Sequence, residues 1–466
     1  MAATVNTIVI DLGSTAIKAA TVTDNHQLDN IFSLPAPTII IDQGFYTSDA
    51  NSYLATVEQL LEKCLQFSQT QPDLGLCYQR SSFLLWESHT GLPVTPLISW
   101  QDNRGEASCK SLQAHDSKIR MLTGLPLTGY YFAPKVRAML QQQPELLRGL
   151  VNKQLRIGTL DSFIIWHWTA GKHYLTDTSM AARTLLMDIN SGFWSKTLSD
   201  IFNIPLQVLA EIYPSNGFNL QLNNGAVLRT SIADQSAALL ASIANDGSEV
   251  LVNLGTGGFV IRYKPEYSHT DSSNYLNTLV YKDSDKNQYM AVEGTLNSIT
   301  AALRPYPFED CKIEDLAEIK DIYCLAEPSG IGAPFFRADI GLEFSQATDN
   351  LTQQQITALL LEGIIFRVTL ILEDYQQQTE ISSVYLSGGL SVFPCIQQGI
   401  ALCSPAPVFK LLQQHSGLMG VVILTNNLAP AFGRQSAPVL LANKHLALIE
   451  KYQRWKHWFS KRLNDR

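Results

Sequence analysis

The chain has 466 residues, of which 45% are hydrophobic and 16% charged, and this composition excludes disordered and fibrous proteins. Its net charge of −8 argues against a nucleic-acid-binding protein, which normally carries a basic surface. The mean hydropathy is +0.01. The longest apolar stretch, residues 356–372, contains Glu362 and Arg367, so we expect a buried helix there and no membrane span. The N-terminus has neither a basic region nor a long apolar stretch, which predicts a cytoplasmic protein.

The seven cysteines are scattered along the chain, and none belongs to a Cys-x-x-Cys pair. The nine histidines are equally scattered and form no His-Glu-x-x-His motif. This pattern predicts neither a disulfide framework nor a zinc site, and it is typical of small buried thiols in a reducing compartment.

Two segments share one pattern, in which a β-branched run enters a short glycine-hydroxyl turn and a second apolar run follows. The first covers residues 7–22 and the second covers residues 250–261. Such a turn offers free backbone N–H groups without side-chain bulk, which suits a phosphate group. The repeat predicts two hairpins, two phosphate-facing turns and a duplicated domain. The matched positions are Asp11 with Asn253, Gly13 with Gly255, and Ser14 with Thr256.

Helical and strand patterns alternate along both halves, which predicts an α/β protein. The periodicity predicts helices over residues 51–67 and 234–245. Thr352 and Gln355 form a capping box that predicts the start of a long apolar helix reaching about Tyr375. No low-complexity linker separates the halves, and we place their boundary near residue 245.

An ordered succession of motifs resembles the FGGY family of carbohydrate kinases, and within it the glycerol kinases. Any one of these motifs is weak, but together they run in family order from residue 7 to about residue 390. The motifs are Ile-Asp-Leu-Gly-Ser-Thr at 10–15, Tyr-Gln-Arg at 78–80, Ile-Ser-Trp-Gln-Asp at 98–102, Thr-Gly-Leu-Pro-Leu at 123–127, Gly-Thr-Leu-Asp-Ser at 158–162, Ala-Asp-Gln-Ser at 233–236, Gly-Thr-Gly at 255–257, Glu-Gly at 293–294, Gly-Ile-Gly-Ala-Pro at 330–334 and Ser-Gly-Gly at 387–389.

The resemblance implies two RNase H-like domains of the actin-like ATPase kind that flank a catalytic cleft. We assign residues 1–245 to the N-terminal domain, 246–445 to the C-terminal domain, and 446–466 to a basic C-terminal helix. The resemblance also implies an ATP-dependent kinase that phosphorylates a hydroxyl group of a small polyol or sugar, with ATP and Mg²⁺ as cofactors.

The same resemblance assigns roles to single residues. Asp234 matches the general base, since an attacking hydroxyl group needs a proton acceptor. The alternative for Asp234 is a purely structural helix cap. Asp11 matches the carboxylate that positions Mg²⁺, and we expect this contact to be mediated by water. The matched ATP contacts are Gly13, Ser14, Thr15, Lys18, Gly255, Thr256 and Gly389, and the matched acceptor contacts are Arg80, Ser81, Tyr130, Asp234, Gln235 and Phe259.

Two parts of the sequence depart from the glycerol kinase pattern. Ser81 stands where glycerol kinases carry a glutamate, so one carboxylate acceptor for substrate hydroxyls is missing. On the adenine side, Thr300 and Arg304 replace a glycine and a glutamine, and Phe393 replaces an asparagine. These changes put the nucleotide preference in question, whereas both phosphate turns are retained.

Two alternatives to a glycerol-kinase-like enzyme stay open. One is a pentulose kinase of the xylulokinase or ribulokinase type, and the other is a non-catalytic actin-like module that binds a sugar or a nucleotide. Asp11 and Asp234 favour an enzyme, because a binding module needs no base. The basic, aromatic C-terminus predicts a helix docked on its own protein, the alternative being a helix that binds a membrane surface or a partner. An oligomer is compatible with the sequence.

Overall fold

The computed structural model describes residues 6–68, 70–265, 274–441 and 446–464. The chain divides into two compact units. Unit 1 comprises the chain up to Ala241 together with Asn277–Met290 and His415–Phe432, and unit 2 comprises Ser242–Leu276, Ala291–Gln414 and the chain from Gly433. The first break lies near the predicted boundary at residue 245. The units are not contiguous halves, however, because two later segments pack with unit 1.

Strands and helices alternate along the chain, as the sequence predicts. The strands are β1 Thr7–Leu12, β2 Ala16–Val22, β3 Leu28–Pro35, β4 Ile40–Asp42, β5 Phe45–Ser48, β6 Asp73–Tyr78, β7 Phe83–Glu87, β8 Leu97–Ile98, β9 Leu155–Thr159, β10 Leu175–Asp177, β11 Met187–Asp188, β12 Phe193–Trp194, β13 Glu211–Tyr213, β14 Leu220–Gln221, β15 Val227–Ala233, β16 Glu249–Leu254, β17 Gly258–Tyr263, β18 Leu276–Lys282, β19 Gln288–Leu296, β20 Cys324–Leu325, β21 Glu343–Phe344, β22 Ser383–Ser387, β23 Val408–Leu411 and β24 Ser436–Pro438.

The α-helices connect and cover these strands. They are α1 Ala50–Leu65, α2 Glu106–Ser111, α3 Asp116–Thr123, α4 Phe132–Gln142, α5 Pro144–Val151, α6 Leu160–Trp168, α7 Thr178–Ala181, α8 Lys196–Phe202, α9 Asp234–Ser242, α10 Ile299–Leu303, α11 Gln353–Gln378, α12 Pro394–Cys403, α13 Ser416–Thr425 and α14 Leu446–Asn464.

The main sheet of unit 1 contains the first predicted hairpin. Its strands lie in the order β14-β15-β6-β1-β2-β3. β1, β2 and β3 are antiparallel neighbours, whereas β1, β6 and β15 run parallel. The apolar side chains of β1 are fully buried, as its continuous β-branched run predicts for a central strand. The carboxyl ends of β1, β6 and β15 therefore meet at one edge of the sheet.

Unit 2 repeats this arrangement around the second predicted hairpin. Within the unit the strands lie in the order β19-β17-β16-β22-β23-β24. β16, β17 and β19 are antiparallel neighbours, and β16, β22 and β23 run parallel. The same hairpin-plus-parallel-strand arrangement in both units agrees with the duplication that the repeated pattern predicts.

The long helix α11 forms the centre of the core of unit 2. Thr352 and Gln355 make both hydrogen bonds of the predicted capping box, at 3.2 and 3.0 Å. Among the described residues, α11 alone has the length and apolar composition needed to cross a membrane. Because 83% of its most apolar 18-residue window is buried in the protein, it is a core helix, as predicted.

The C-terminal helix α14 packs against the same core. Trp455 and Phe459 are buried, and the indole N–H of Trp455 donates to the carbonyl oxygen of Cys324 at 2.9 Å. Its basic side chains pair within unit 2, Lys451 with Glu362, Lys456 with Glu373 and Arg462 with Glu343. The helix is thus docked on its own protein. The last two residues of the predicted tail, 465 and 466, lie outside the described residues.

Candidate active site

The turn between β1 and β2 opens onto a cavity of about 490 Å³ in unit 1. A Cβ atom at Gly13 would lie 2.7 Å from the carbonyl oxygen of Ala16, so the tight turn requires glycine. The hydroxyl group of Tyr53 donates to the carbonyl oxygen of Gly13 at 2.8 Å and fixes the turn from beneath. Ser14, Thr15 and Lys18 also line the cavity. Hydroxyl groups, a backbone turn and an ammonium group together suit a phosphate chain.

Asp11 lies near the end of β1 and lines the same cavity. It faces Lys18 across the hairpin and Cys77 on the parallel strand β6. Burial raises the pKa of Asp11, while the Cys77 side-chain hydrogen bond and the charges of Lys18 and His415 lower it. A Cβ atom at Gly417 would lie 3.1 Å from Oδ2 of Asp11, so α13 approaches the carboxylate closely. Asp11 is therefore a confined carboxylate at the end of the phosphate turn.

Asp234 follows β15 and is the first residue of α9. Its Oδ1 accepts a 2.6 Å hydrogen bond from the backbone N–H of Gln235. Burial raises the pKa of Asp234 to about 6, with the Arg80 guanidinium opposing this shift and the Asp11 carboxylate adding to it. Because β1 and β15 end at the same sheet edge, Asp11 and Asp234 line one cavity. A carboxylate with this pKa can accept a proton at neutral pH.

The loop after β6 carries the predicted acceptor residues. The guanidinium of Arg80 donates to the side-chain oxygen of Gln235, which places these two residues beside Asp234. Ser81 is 4% exposed, has a φ of +63° and directs its hydroxyl group to the carbonyl oxygen of Arg183 at 3.4 Å. The side chain of Ser81 is thus engaged with the protein and not with the cavity.

Hydrogen bonds from two other segments hold the loop that contains Arg80, Ser81 and Ser82. The Nζ atom of Lys135, a fully buried residue of α4, donates to the carbonyl oxygens of Ser81 and Ser99, both at 2.9 Å. The hydroxyl group of Ser82 accepts from the backbone N–H of Trp100 at 3.0 Å. The indole of Trp100 is 39% exposed. The backbone of Trp100, which carries an exposed aromatic side chain, is therefore held next to the loop that contains Arg80 and Ser81.

Tyr130 and Arg183 complete the polar and aromatic groups of this region of unit 1. Tyr130 is 40% exposed and its ring lies 4.2 Å from that of the buried Tyr131. The guanidinium of Arg183 lies over the Tyr131 ring at 5.5 Å, donates to Thr278 at 3.1 Å and lowers the pKa of Asp234. Tyr131 thus links the predicted acceptor residue Tyr130 to an arginine near the carboxylate.

The second predicted phosphate turn lies in unit 2, between β16 and β17. Thr300 Oγ1 donates to the carbonyl oxygen of Gly255 at 2.7 Å, and the backbone N–H of Thr300 donates to that of Thr256 at 3.3 Å. Apart from its chain neighbours, none of the described residues places a heavy atom within 4 Å of a Cβ atom built on Gly389, whereas a Cβ atom on Gly388 would lie 2.4 Å from the carbonyl oxygen of Leu254. The Gly-Gly turn therefore sits against the end of β16 and leaves room for a ligand to approach its backbone. Phe259, on β17, is half-buried beside Asn253.

Sequence reasoning missed several groups that the structure places at this site. They are Tyr53, Cys77, Trp100, Lys135, Arg183, His415 and Gly417. Trp100, Lys135 and Arg183 belong to the motifs or follow them, so their positions carried a usable signal. His415 carried none, because this segment joins unit 1 from the far end of the chain.

The carboxylates of this cavity suit a hard cation that arrives bound to a nucleotide better than a metal ion held by the protein alone. Across the described ranges, no group of three histidine, cysteine, aspartate or glutamate side chains is arranged to hold a metal. Asp11 and Asp234 supply carboxylate oxygens at the phosphate turn. Mg²⁺ takes few protein carboxylates and completes its shell with phosphate oxygens and water. The residues present fit that chemistry.

Comparison with known proteins gives a consistent result for both units. Residues 6–236 match the N-terminal domain of the FGGY family of carbohydrate kinases, and residues 250–428 match its C-terminal domain. The chain is 25% identical over 441 residues to glycerol kinase 2 of Streptomyces coelicolor, covering 88% of this chain and 86% of that protein. Among solved structures, the fold is similar to that of Plasmodium falciparum glycerol kinase with ADP (TM-score 0.85, 20% identity, 98% of both chains). It is also similar to ligand-bound xylulose kinase from Lactobacillus acidophilus (TM-score 0.80, 18% identity, 98% of both chains).

Proposed function

This chain belongs to the FGGY family of carbohydrate kinases, and we propose that it transfers the γ-phosphoryl group of ATP to a hydroxyl group of a small polyol, with glycerol as the first candidate. The family and the glycerol kinase relatives make it a phosphotransferase that acts on an alcohol group. The observation that carries the proposal is a single cavity lined by Asp11, Asp234 and the Gly13–Thr15 turn. One cavity thus holds groups for the phosphates and for the attacking hydroxyl.

In this proposal Asp234 is the general base. Its carboxylate takes the proton of the acceptor hydroxyl as the oxygen attacks the γ-phosphorus atom. The pKa of about 6 leaves most of the carboxyl ionised at neutral pH while keeping it basic enough to accept a proton. The contact between Asp234 and the Gln235 N–H holds the side chain at the helix N-terminus in one orientation. The base is therefore preorganised.

The phosphate contacts are assigned to both units. In unit 1, Ser14, Thr15 and Lys18 bind phosphate oxygens, and Lys18 offsets negative charge. In unit 2, Gly255, Thr256 and Gly389 bind the nucleotide through backbone groups. Mg²⁺, when bound with the nucleotide, would supply charge neutralisation at the phosphates, with Asp11 as the residue that holds it.

The acceptor contacts are assigned to Arg80 and Gln235, whose hydrogen bond places a cation and an amide beside Asp234. A guanidinium and an amide recognise neighbouring hydroxyl groups, and an exposed aromatic ring such as Trp100 or Tyr130 covers the carbon chain. The half-buried Phe259 is retained as the acceptor contact of unit 2.

A pentulose is the second candidate acceptor, and Ser81 favours it. The Ser81 hydroxyl is bonded to Arg183, and no carboxylate projects from this position. The site thus lacks the glutamate predicted to bind glycerol hydroxyls, while the shorter side chain leaves more space for a longer acceptor. We place the reaction in the cytoplasm, where ATP is available, and the seven free cysteines agree with a reducing compartment.

The test is an ADP-release assay with ATP and Mg²⁺ against a panel of glycerol, dihydroxyacetone, xylulose, ribulose and gluconate. We expect acceptor-dependent ADP formation that is fastest with glycerol. The Asp234→Asn variant serves as the blank, and the exposed Asp200→Asn variant as the matched control. A higher kcat/KM for a pentulose would replace glycerol as the substrate. Equal ADP formation with and without every acceptor would overturn the kinase proposal.

A further inference from the structure

Two thiol groups meet in unit 2, and neither belongs to the candidate active-site residues described above. The Sγ atoms of Cys311 and Cys395 lie 3.4 Å apart. Cys311 follows a short 3₁₀ turn at Phe308–Asp310, and Cys395 is the second residue of α12. Both Sγ atoms also lie near the carbonyl oxygen of Lys312, at 3.6 and 3.5 Å. The two thiols therefore share one backbone acceptor and contact each other directly.

The backbone around the pair is held on both sides. The rings of Phe308 and Phe393 make an edge-to-face contact with centroids 5.2 Å apart. Each ring lies two or three residues before one of the cysteines, so the aromatic pair fixes the same two segments that carry the thiols. An S–S bond is about 2.05 Å long, and closing the gap from 3.4 Å requires only side-chain rotation and a small backbone adjustment.

We infer that Cys311 and Cys395 are a modification site that forms a reversible intramolecular disulfide with a small cationic disulfide as the oxidant. A thiolate of Cys311 attacks one sulfur of the small disulfide and releases one small thiol. The thiolate of Cys395 then attacks the Cys311 sulfur and releases the second. Two protein thiols are thereby oxidised to one disulfide, and one small disulfide is reduced to two thiols.

Exposure sets the order of these two steps. Cys311 is 8% exposed and Cys395 only 2%, so the incoming disulfide reaches Cys311 first. For Cys395, the contact with Cys311 and burial both raise the pKa of the thiol. The thiol–disulfide exchange at Cys395 is therefore slow at neutral pH. The proximity of the two thiols instead favours the disulfide at equilibrium, because Cys395 is already in contact with Cys311.

A cavity of about 450 Å³ gives access to the pair and determines the charge of the oxidant. Both cysteines line it, and the charged side chains among its described lining residues are Glu309, Asp310, Glu314 and the cation Lys312. This negative lining attracts a cationic disulfide and repels an anionic one, and salt screens the difference. Cystamine, with two ammonium groups, is therefore a better probe than dithiodiglycolate, with two carboxylates.

A disulfide at this site would tie the 308–312 segment to the start of α12. That helix follows the Gly388–Gly389 turn, which we assign to nucleotide binding, so the bond would stiffen the segment that follows this turn. This consequence rests on the proposed function, whereas formation of the bond does not.

The experiment treats the full-length protein with cystamine, blocks the remaining thiols with iodoacetamide and maps peptides by mass spectrometry without reduction. We expect one cross-linked species that joins the peptides of Cys311 and Cys395 and that dithiothreitol removes. Cys395→Ser and Cys311→Ser should each abolish it, while Cys403→Ser, at a half-buried thiol of the same helix, should retain it. At low salt, cystamine should react at least about fivefold faster than dithiodiglycolate, and the difference should shrink at high salt.

A second measurement needs no oxidation. Phenylarsine oxide bridges two neighbouring thiols, and it should bind the reduced wild-type protein at one equivalent and neither serine variant. Absence of the cross-linked species in folded wild-type protein, or its persistence in Cys395→Ser, would overturn the inference. Neither readout depends on kinase activity. A failure of this inference is therefore distinguishable from a failure of the proposed function.

Discussion

The Nζ atom of Lys135 donates a 2.9 Å hydrogen bond to the carbonyl oxygen of Ser81 and a second, of equal length, to that of Ser99. Ser81 has a left-handed φ of +63°, a conformation that a serine adopts at some cost. The buried lysine thereby joins the loop that carries Arg80 to the segment that carries Trp100. Lys135 contacts the backbone of Ser81 and does not line the cavity of the phosphate turn, so we regard it as a positioning residue.

Replacing Lys135 by methionine should weaken acceptor binding without removing the chemistry. The carbonyl oxygen of Ser81 loses its donor, whereas that of Ser99 keeps the backbone N–H of Asp102 at 3.1 Å, and the Ser81 loop loses its support. We expect the acceptor KM to rise roughly tenfold with a smaller change in kcat, and the unfolding free energy to fall by about 1–3 kcal/mol. Steady-state kinetics and urea unfolding measure the two effects. The exposed Lys110→Met is the matched control, and an unchanged acceptor KM in folded Lys135→Met would contradict the positioning role.

Stability should also depend on pH through Lys135. Burial lowers its pKa to about 7, with Asp102 favouring the charged form and Arg104 opposing it. An unfolded lysine has a pKa of about 10.4. Between these values the unfolded chain binds more protons, so the penalty for burying Lys135 is present below pH 7 and is relieved as the pH rises. The wild-type protein should gain up to about 1.4 kcal/mol per pH unit relative to Lys135→Met between pH 7 and 9. A pH-independent difference in urea unfolding would show that Lys135 keeps one protonation state.

The hairpins, the capping box of α11 and the end-of-strand carboxylates were predictable because each is encoded within a few neighbouring residues. Asp11 lies near the end of a buried strand and Asp234 follows another, and glycine at position 13 is required by a turn only three residues long. A repeated local pattern also indicated two similarly built sheets. Local signals of this kind survive folding because tertiary contacts reinforce them.

Contacts between distant residues could not be predicted in the same way. Lys135 and Ser81 are 54 residues apart, and Gly417 approaches Asp11 from a segment more than 400 residues away. No periodicity encodes such a contact, and none encodes the return of residues 415–432 to unit 1. The hydroxyl group of Ser81 likewise finds its partner, the carbonyl oxygen of Arg183, 102 residues later in the chain.

The buried pair of Lys451 and Glu362 should anchor the C-terminal helix. Lys451 is fully buried and Glu362 nearly so, and the carboxylate also accepts from the backbone N–H of Ala317 at 2.6 Å. Lys451→Met leaves an unpaired carboxylate in the core, which should cost about 3–5 kcal/mol of unfolding free energy. Urea unfolding checks this value, with the exposed Lys461→Met as control. The double variant Lys451→Met/Glu362→Leu should recover most of the loss, and no recovery would mean that helix packing rather than charge dominates.

Asp234→Asn should fold and bind both substrates but lose most turnover. The amide keeps the size of the carboxylate and can still accept from the Gln235 N–H, but it cannot take the acceptor proton. General-base removal costs on the order of 10²- to 10⁴-fold in kcat. Turnover near that of wild type would instead favour the structural helix-cap role. Asp200→Asn, at an exposed surface ion pair, should leave kcat unchanged.

The pH profile of kcat/KM should report the ionisation of Asp234 directly. Burial makes the largest contribution and, with the nearby Asp11 carboxylate, raises the pKa of Asp234 to about 6, whereas the Arg80 guanidinium opposes this shift. Because only the ionised form accepts a proton, kcat/KM should fall tenfold per pH unit below about pH 6 and level off above it. Arg80→Gln removes the opposing charge and should move the midpoint upward, a change that a titrating group elsewhere in the protein would not produce. Initial rates between pH 5 and 8, with circular dichroism at each pH to exclude acid unfolding, make the measurement. A profile that stays flat to pH 5 in the folded protein, or a midpoint unmoved in Arg80→Gln, would assign the proton transfer to a group other than Asp234.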